Sequence, residues 1–264
     1  MSTQPQPRPR KPTAYELRRE RQKARERFLA GRRAESGYAR RLRAVAKQVG
    51  ELVSGLLGGG QEALARLRDT LEDYAQTLKP WAEKVAEKMV NEVSRRDKAA
   101  WEKHARSMGR TLAREIENAP TGETMRRLME NQVDLITSIP RRSAERVHQL
   151  VLKGIREGTR FEHVREEILK TGSVAVSRAT LIARTETARA ASVLTQARAE
   201  YVGSEEYIWR TAMDADVRRS HKALEGKTFR WDNPPVSEPT GERSHPGQIW
   251  NCRCVAEPIL PDLV

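Results

Sequence analysis

The sequence predicts a mainly α-helical protein with elongated N-terminal helices and a small C-terminal α+β module. Apolar residues recur at helical spacing upstream of the last quarter of the chain. Charged residues make up 32% of the 264 residues and aromatic residues only 5%, so the chain can bury one modest core and much of it is expected to be extended helix. Both cysteines, and three of the five tryptophans, lie in the last quarter.

Composition divides the chain into four predicted segments. Residues 1–60 form a basic arm that ends in a glycine-rich hinge, and residues 61–119 form a helical arm. Residues 120–203 form a helical domain, and residues 204–264 form the α+β module. A zinc ion is a candidate to stabilise this module. The first 12 residues contain four prolines, which exclude a regular hydrogen-bonded element there.

Positive charge is concentrated in the arm. Residues 1–50 hold 15 Lys/Arg and 4 Asp/Glu, so almost all of the formal net charge of +13 lies there. A solvated charged helix is the simpler interpretation, but the asymmetry favours contact with DNA or an acidic partner. Because few aromatic residues interleave with the arginines, DNA binding would be driven by backbone phosphates. The candidate DNA-binding residues are Arg18, Arg19, Arg21, Arg25, Arg32, Arg33, Arg40 and Arg41.

Apolar spacing places the helices in order. Leu42, Val45 and Val49 form a narrow stripe, and glycines at 55 and 58–60 then interrupt the pattern. The two amphipathic helices after the hinge present a seam that suits packing either within this chain or on a partner. Two helices are expected at 64–78 and 81–93, separated by Pro80. A helix at 121–139 is expected to end at Pro140. Further helices are expected at 143–158, at 161–169 and, after a turn at Gly172-Ser173, at 177–201.

The pattern changes after Gly203, where the module begins. Short β-prone runs and turn residues replace the helical periodicity. The expected elements are strands at 207–209, 227–231 and 252–257, a helix at 217–224 with an acidic N-cap, and a long loop over 232–247.

The module also contains a candidate metal site. Cys252 and Cys254 are two residues apart, so on an extended strand their side chains point to the same face. Two thiolates and two imidazoles form a known structural zinc set, with Asp214 or Asp216 as acceptor for the second histidine nitrogen. Two reduced thiols with two hydrogen-bonding histidines remain the alternative. The candidate zinc ligands are His221, His245, Cys252 and Cys254.

Several motifs occur in one order along the module. They are Ile182-Ala-Arg-Thr-Glu186, Trp209-x-Thr211-x-x-Asp214, Val217-Arg218-x-x-His221-x-x-Leu224-x-Gly226, His245-Pro246-Gly247 and Asn251-Cys252-Arg253-Cys254. This order resembles the C-terminal domain of the phage Mu F-like minor head proteins, the head morphogenesis proteins of tailed bacteriophages, over roughly residues 120–258. The residues expected to have structural roles are Arg184, Glu186, Trp209, Asp214, Arg218 and Gly226.

The resemblance implies a low-copy minor capsid protein that acts in head assembly. Its expected place is the capsid interior near the portal, and the host cytoplasm during assembly. The implied partners are the portal protein, other head proteins and packaged double-stranded DNA. No catalytic constellation is required, so no enzymatic activity is expected.

Two other functions stay open. A metal-dependent hydrolase could use Asp214, Asp216, His221 and His245, although four soft ligands would leave zinc no open position for a substrate. A non-specific DNA-binding protein is the second alternative. The first residues contain no apolar signal segment, and no uncharged run near the N-terminus is long enough for a membrane span.

Overall fold

The computed structural model describes residues 13–57, 60–105 and 119–260. The predictions for residues 1–12 and for Gly58 and Gly59 lie outside these ranges. The fold is helical with a small C-terminal antiparallel sheet, so the predicted fold class is confirmed. The elements are α1 (Ala14–Leu56), α2 (Gly60–Thr77), α3 (Lys79–Ala105), α4 (Gly122–Glu157), α5 (Phe161–Leu169), α6 (Thr171–Tyr201), β1 (Glu206–Arg210), α7 (Arg219–Lys222), β2 (Thr228–Arg230) and β3 (Val255–Ile259).

The C-terminal half of α1 lies in the main apolar core. Leu42, Val45 and Val49 are buried as predicted and belong to one cluster with residues of α2, α3, α4 and α6. Residues 34–57 of the predicted arm therefore pack in the same core as the helical domain.

The seam of α2 and α3 packs inside the chain. Leu71, Val85 and Met89 are buried in the same core, which confirms internal packing over a partner interface for these residues. The two helices are divided next to Pro80, as predicted, because α2 ends at Thr77 and α3 begins at Lys79. No helix in the described part of the chain is both long enough and apolar enough to cross a membrane.

The predicted helix end at Pro140 is wrong, because α4 continues through it to Glu157. A proline inside a helix removes one hydrogen bond and costs roughly 3 kcal/mol. Ile136, Ile139 and Val147 are buried on either side of it, and each buried side chain of this size contributes roughly 1.5–3 kcal/mol. The continuous buried face therefore outweighs the lost bond. α4 ends where predicted, at Gly158, which has a left-handed φ of 61°.

The predicted turn at Gly172 is also wrong, because α6 begins at Thr171 and includes it. A Cβ atom on Gly172 would lie 3.0 Å from the Cα of Gly50 in α1. Glycine at this point allows the backbones of α1 and α6 to cross closely. In the sequence, a glycine at a helix crossing cannot be distinguished from a glycine in a turn.

The three strands form a sheet of order β2-β1-β3, antiparallel throughout. Tyr207 and Trp209 of the central strand are fully buried in a second apolar cluster, which also contains both cysteines. The last strand begins at Val255, so the cysteines precede it and do not lie on an extended strand as expected. The helix expected at 217–224 is shorter, and no side chain caps its N-terminus.

Candidate metal centre

His221, Cys252 and Cys254 form a buried cluster in the C-terminal module. Their potential ligand atoms all lie within 4.8 Å of one another. The Nδ1 atom of His221 is 3.5 Å from the Sγ atom of Cys252 and 3.4 Å from that of Cys254. The three residues are between 1% and 4% exposed. One imidazole and two thiols in this arrangement are ligands of the kind that zinc prefers.

β1 and α7 position the histidine. The ring of Trp209 packs edge-on against that of His221, with centroids 5.3 Å apart and an interplanar angle of 76°. Because α7 is a single turn of helix, this aromatic contact supports a histidine that the helix alone would hold weakly.

A tight loop before β3 positions the cysteines. Asn251 and Gly247 have left-handed φ angles of 59° and 85°. A Cβ atom on Gly247 would lie 3.2 Å from the carbonyl oxygen of Cys254 and 3.3 Å from that of Ala188 in α6. Glycine is therefore needed both for the backbone conformation and for the close approach of this loop to α6.

The loop backbone also polarises the sulphur atoms. The N–H groups of Gly247 and Cys254 each donate to the Sγ atom of Cys252 over 3.4 Å. The Cys254 thiol, followed by His221 and the Cys254 backbone, lowers the pKa of Cys252. The same contact between the thiols, with burial, raises the pKa of Cys254. The contact between the two thiols therefore shifts their pKa values in opposite directions.

Glu238 lies at the second nitrogen of the histidine. Its Oε1 atom is 3.4 Å from His221 Nε2, and both atoms are buried without a conventional hydrogen bond to another described residue. Asp214 and Asp216, expected in this role, instead face Arg253: the Asp214 carboxylate accepts two N–H groups over 2.6 and 2.9 Å, and Asp216 lies 3.4 Å away. Glu238 belongs to the long loop, whose path the sequence does not predict.

His245, the other predicted ligand, contacts the sheet and is not part of the cluster. Its Nδ1 atom is 3.1 Å from the Tyr207 hydroxyl, and its ring centroid is 5.6 Å from that of Trp231. Burial lowers the pKa of His245, which favours the neutral ring. The described residues thus provide three of the four ligands that the sequence suggested.

The other motif residues support the module. Gly226, with φ of 73°, donates its N–H to the carbonyl of the fully buried Trp209 over 2.9 Å. Arg218 donates to the carbonyl of Trp250 over 2.8 Å and lies 3.4 Å from Glu238. These contacts agree with the structural roles expected for Trp209, Arg218 and Gly226.

Helix α6 contacts the cysteine loop directly. Arg184 donates to the Asn251 side chain over 3.0 Å, and the Asn251 N–H donates to Thr185 over the same distance. Arg189 donates twice to the carbonyl of Gln248, over 3.2 and 2.9 Å. Arg184 thus contacts the module as expected, whereas Arg189 has an equivalent role that the sequence did not indicate.

Glu186, expected to contact the module, is buried against the helical core. It accepts a hydrogen bond from Gln132 over 2.9 Å, and Gln132 accepts one from Tyr38 over 2.8 Å. Its connection to the module is indirect, because it lies 3.3 Å from Arg189, one helical turn away. The sequence showed only the spacing between Glu186 and Arg189. The other side chains of this network, Tyr38 and Gln132, come from α1 and α4.

A basic cleft of about 760 Å³ lies between α1 and α3. Arg33, Arg40 and Arg41 of the predicted DNA-binding set line it. Arg18 is exposed elsewhere on α1, and the side chains of Arg19, Arg21, Arg25 and Arg32 lie outside the described part. Further charged residues line the cleft from α3, which the sequence did not indicate: Lys84, Glu87, Lys88, Glu92 and Arg95.

The fold and this site together define a helical protein that carries a small antiparallel sheet module with a buried His/Cys/Cys cluster. Residues 145–257 match the family model described as Phage Mu protein F like protein. The resemblance seen in the motifs is therefore confirmed over residues 145–257, which match the model of this family.

Two curated relatives are similar to the chain. An uncharacterized protein of Haemophilus influenzae is 33% identical over 153 residues, which cover 58% of this chain and 33% of that protein. Minor head protein GP7 of Bacillus phage SPP1 is 26% identical over 152 residues, which cover 52% of this chain and 49% of that protein. The chain thus spans about a third and about half of their lengths. No solved structure is significantly similar to it.

Proposed function

We propose that this chain is a minor head protein of a tailed bacteriophage that acts in head assembly. The observation that carries the proposal is the family match over residues 145–257, supported by the similarity to a protein named minor head protein GP7. In this proposal the chain is a low-copy virion component in the capsid interior, near the portal. It contacts the portal protein and other head proteins.

The architecture supports an assembly role. α1 has 43 residues and extends for about 65 Å at 1.5 Å per residue. It packs against α6, and Arg184 and Arg189 of α6 bind the module. α1 and the module are therefore held at fixed positions relative to each other, as a protein that joins head components requires.

We propose a structural rather than a catalytic role. The hydrolase alternative required two aspartates and two histidines around one ion. Asp214 instead pairs with Arg253, and His245 contacts Tyr207, whereas His221 faces the cysteines. The described residues therefore do not form the hydrolytic cluster that this alternative needs.

Phage particles that encode this chain test the proposal. We expect mass spectrometry of purified heads and their precursors to detect the chain at a small fraction of the major capsid protein. A nonsense mutation in its gene should reduce the yield of complete heads, and expression of the chain in trans should restore it. Absence of the chain from both particles and precursors would reject the proposal, and cross-linking within heads tests the portal contact.

The basic cleft supports a contact with packaged double-stranded DNA. Six cationic side chains line it against two carboxylates. One of these, Glu92, is bound by Arg95 and Arg96, and these hydrogen bonds lower its pKa. Positive charge therefore remains in excess along the cleft. Such a surface binds the phosphates of a duplex backbone and does not select a particular base sequence.

A further inference from the structure

The distances within the His/Cys/Cys cluster match those around a tetrahedral zinc ion. With zinc–nitrogen bonds of about 2.0 Å and zinc–sulphur bonds of about 2.3 Å, a tetrahedral angle separates the nitrogen and sulphur by about 3.5 Å. The observed separations between His221 Nδ1 and the two sulphur atoms are 3.5 and 3.4 Å. Both nitrogen–sulphur separations thus fit one tetrahedral ion, and the three potential ligand atoms lie within 4.8 Å of one another.

Hydrogen bonding alone satisfies this arrangement poorly. A neutral imidazole with its proton on Nε2, the nitrogen that faces Glu238, has one lone pair on Nδ1, which can accept one S–H group well. Yet Nδ1 faces the sulphur atoms of Cys252 and Cys254 at almost equal distances. A metal ion accepts electron pairs from all three atoms at once, so the symmetric arrangement favours a cation over two thiol hydrogen bonds.

The surroundings provide the secondary contacts that a thiolate–metal centre needs. Two backbone N–H groups donate to the sulphur of Cys252. The buried indole Nε1 of Trp209, whose ring packs edge-on against that of His221, makes no conventional hydrogen bond within the described residues. Glu238 Oε1, likewise without such a bond, lies beside His221 Nε2, as a carboxylate beside a metal-binding histidine commonly does.

We propose that His221 Nδ1, Cys252 Sγ and Cys254 Sγ bind a zinc ion, that Glu238 orients the histidine, and that a water molecule completes the tetrahedron. The ion joins α7 to the loop that contacts α6, so its role is to stabilise the module against the helical body. This ligand set has three protein residues and excludes His245. The inference is independent of any role in phage heads.

Metal analysis and cobalt substitution of the full chain test the proposal. Protein purified without chelators should contain stoichiometric zinc, which alkylation of the thiols releases. Cobalt(II) added to the metal-free chain should give thiolate-to-cobalt charge-transfer absorption that saturates at one equivalent. No bound zinc together with no such absorption would overturn the proposal, and this measurement requires no variant that has to fold.

Variants test the ligand set separately. Cys254→Ser removes one of the two thiolates and should reduce the charge-transfer absorption per bound cobalt by about half. Glu238→Gln should weaken metal affinity about 10–100-fold while keeping the spectrum. His245→Gln is the matched control and should keep both the affinity and the spectrum. A loss of metal from the folded His245 variant equal to that from Cys254→Ser would overturn the ligand set.

Discussion

Arg198 of α6 and Asp97 of α3 form an ion pair whose side chains are only 3% and 8% exposed. Asp97 also accepts the hydroxyl of Thr195 over 2.6 Å, and Arg198 donates to Ser94 over 3.3 Å. Burial raises the pKa of Asp97, and the charge of Arg198 opposes that increase. The pair joins the helix that supports the module to the helix that lines the basic cleft.

We expect Asp97→Asn to lower the free energy of unfolding by about 3–5 kcal/mol, because it leaves the Arg198 charge buried without a counter-charge. Glu123→Gln is the comparison, since its pair with Arg127 is largely exposed. Such exposed pairs contribute about 0–1 kcal/mol. Urea denaturation of the two variants measures the difference. Equal losses of unfolding free energy would show that the buried Arg198 pair contributes no more to stability than the exposed pair.

Gly247→Ala should destabilise the module more than Gly241→Ala. The two glycines have similar φ angles of 85° and 87°, so the backbone strain of about 1–2 kcal/mol is common to both. Only at Gly247 would the new methyl group meet other atoms, including the carbonyl of Ala188 at 3.3 Å. The difference in denaturation midpoint isolates that contact, and identical midpoints would contradict the close packing of the loop on α6.

Gly172→Ala should destabilise the helical body, whereas Gly55→Ala should stabilise it by about 0.5–1 kcal/mol through helix propensity. Both residues lie within helices. A Cβ atom on Gly172 would meet the backbone of Gly50 at 3.0 Å, and one on Gly55 would meet no described atom within 4 Å. Thermal unfolding compares them. A stabilising Gly172→Ala would show that α1 and α6 are further apart than in the structure.

The double variant Lys84→Ala/Lys88→Ala should weaken duplex DNA binding and reduce the slope of log affinity against log salt by about 2, roughly one unit per phosphate contact. Lys47→Ala/Lys98→Ala removes the same charge from positions that do not line the cleft, so it is the control. Fluorescence anisotropy with a mixed-sequence duplex at several salt concentrations measures both. An equal change in the two variants would assign the effect to net charge and not to the cleft.

The sequence was sufficient for the elements whose signals are local. The split beside Pro80, the end of α4 at Gly158, the buried stripe of α1 and the β1 strand were all predicted from spacing and turn residues. Gly55, Pro140 and Gly172 lie inside helices, so the interruptions predicted at these three residues are wrong. Local signals for a helix end are overridden when the neighbouring helix faces are buried in a common core. For the site, His221 and the cysteines were predicted from residue type and from the two-residue spacing of the cysteines, and the structure brings the three together.

The sequence by itself determined that the chain is helical, with a basic N-terminal region and a small cysteine-containing module, because periodicity, composition and motif order are properties of neighbouring residues. Only the tertiary structure decided which side chains meet across the fold. It placed Glu238 beside His221, His245 beside Tyr207, and the lysines of α3 opposite the arginines of α1. The physical reason is that long loops and helix crossings bring together residues that are far apart in the chain. The spacing of two residues along the sequence does not determine the distance between them in the folded protein.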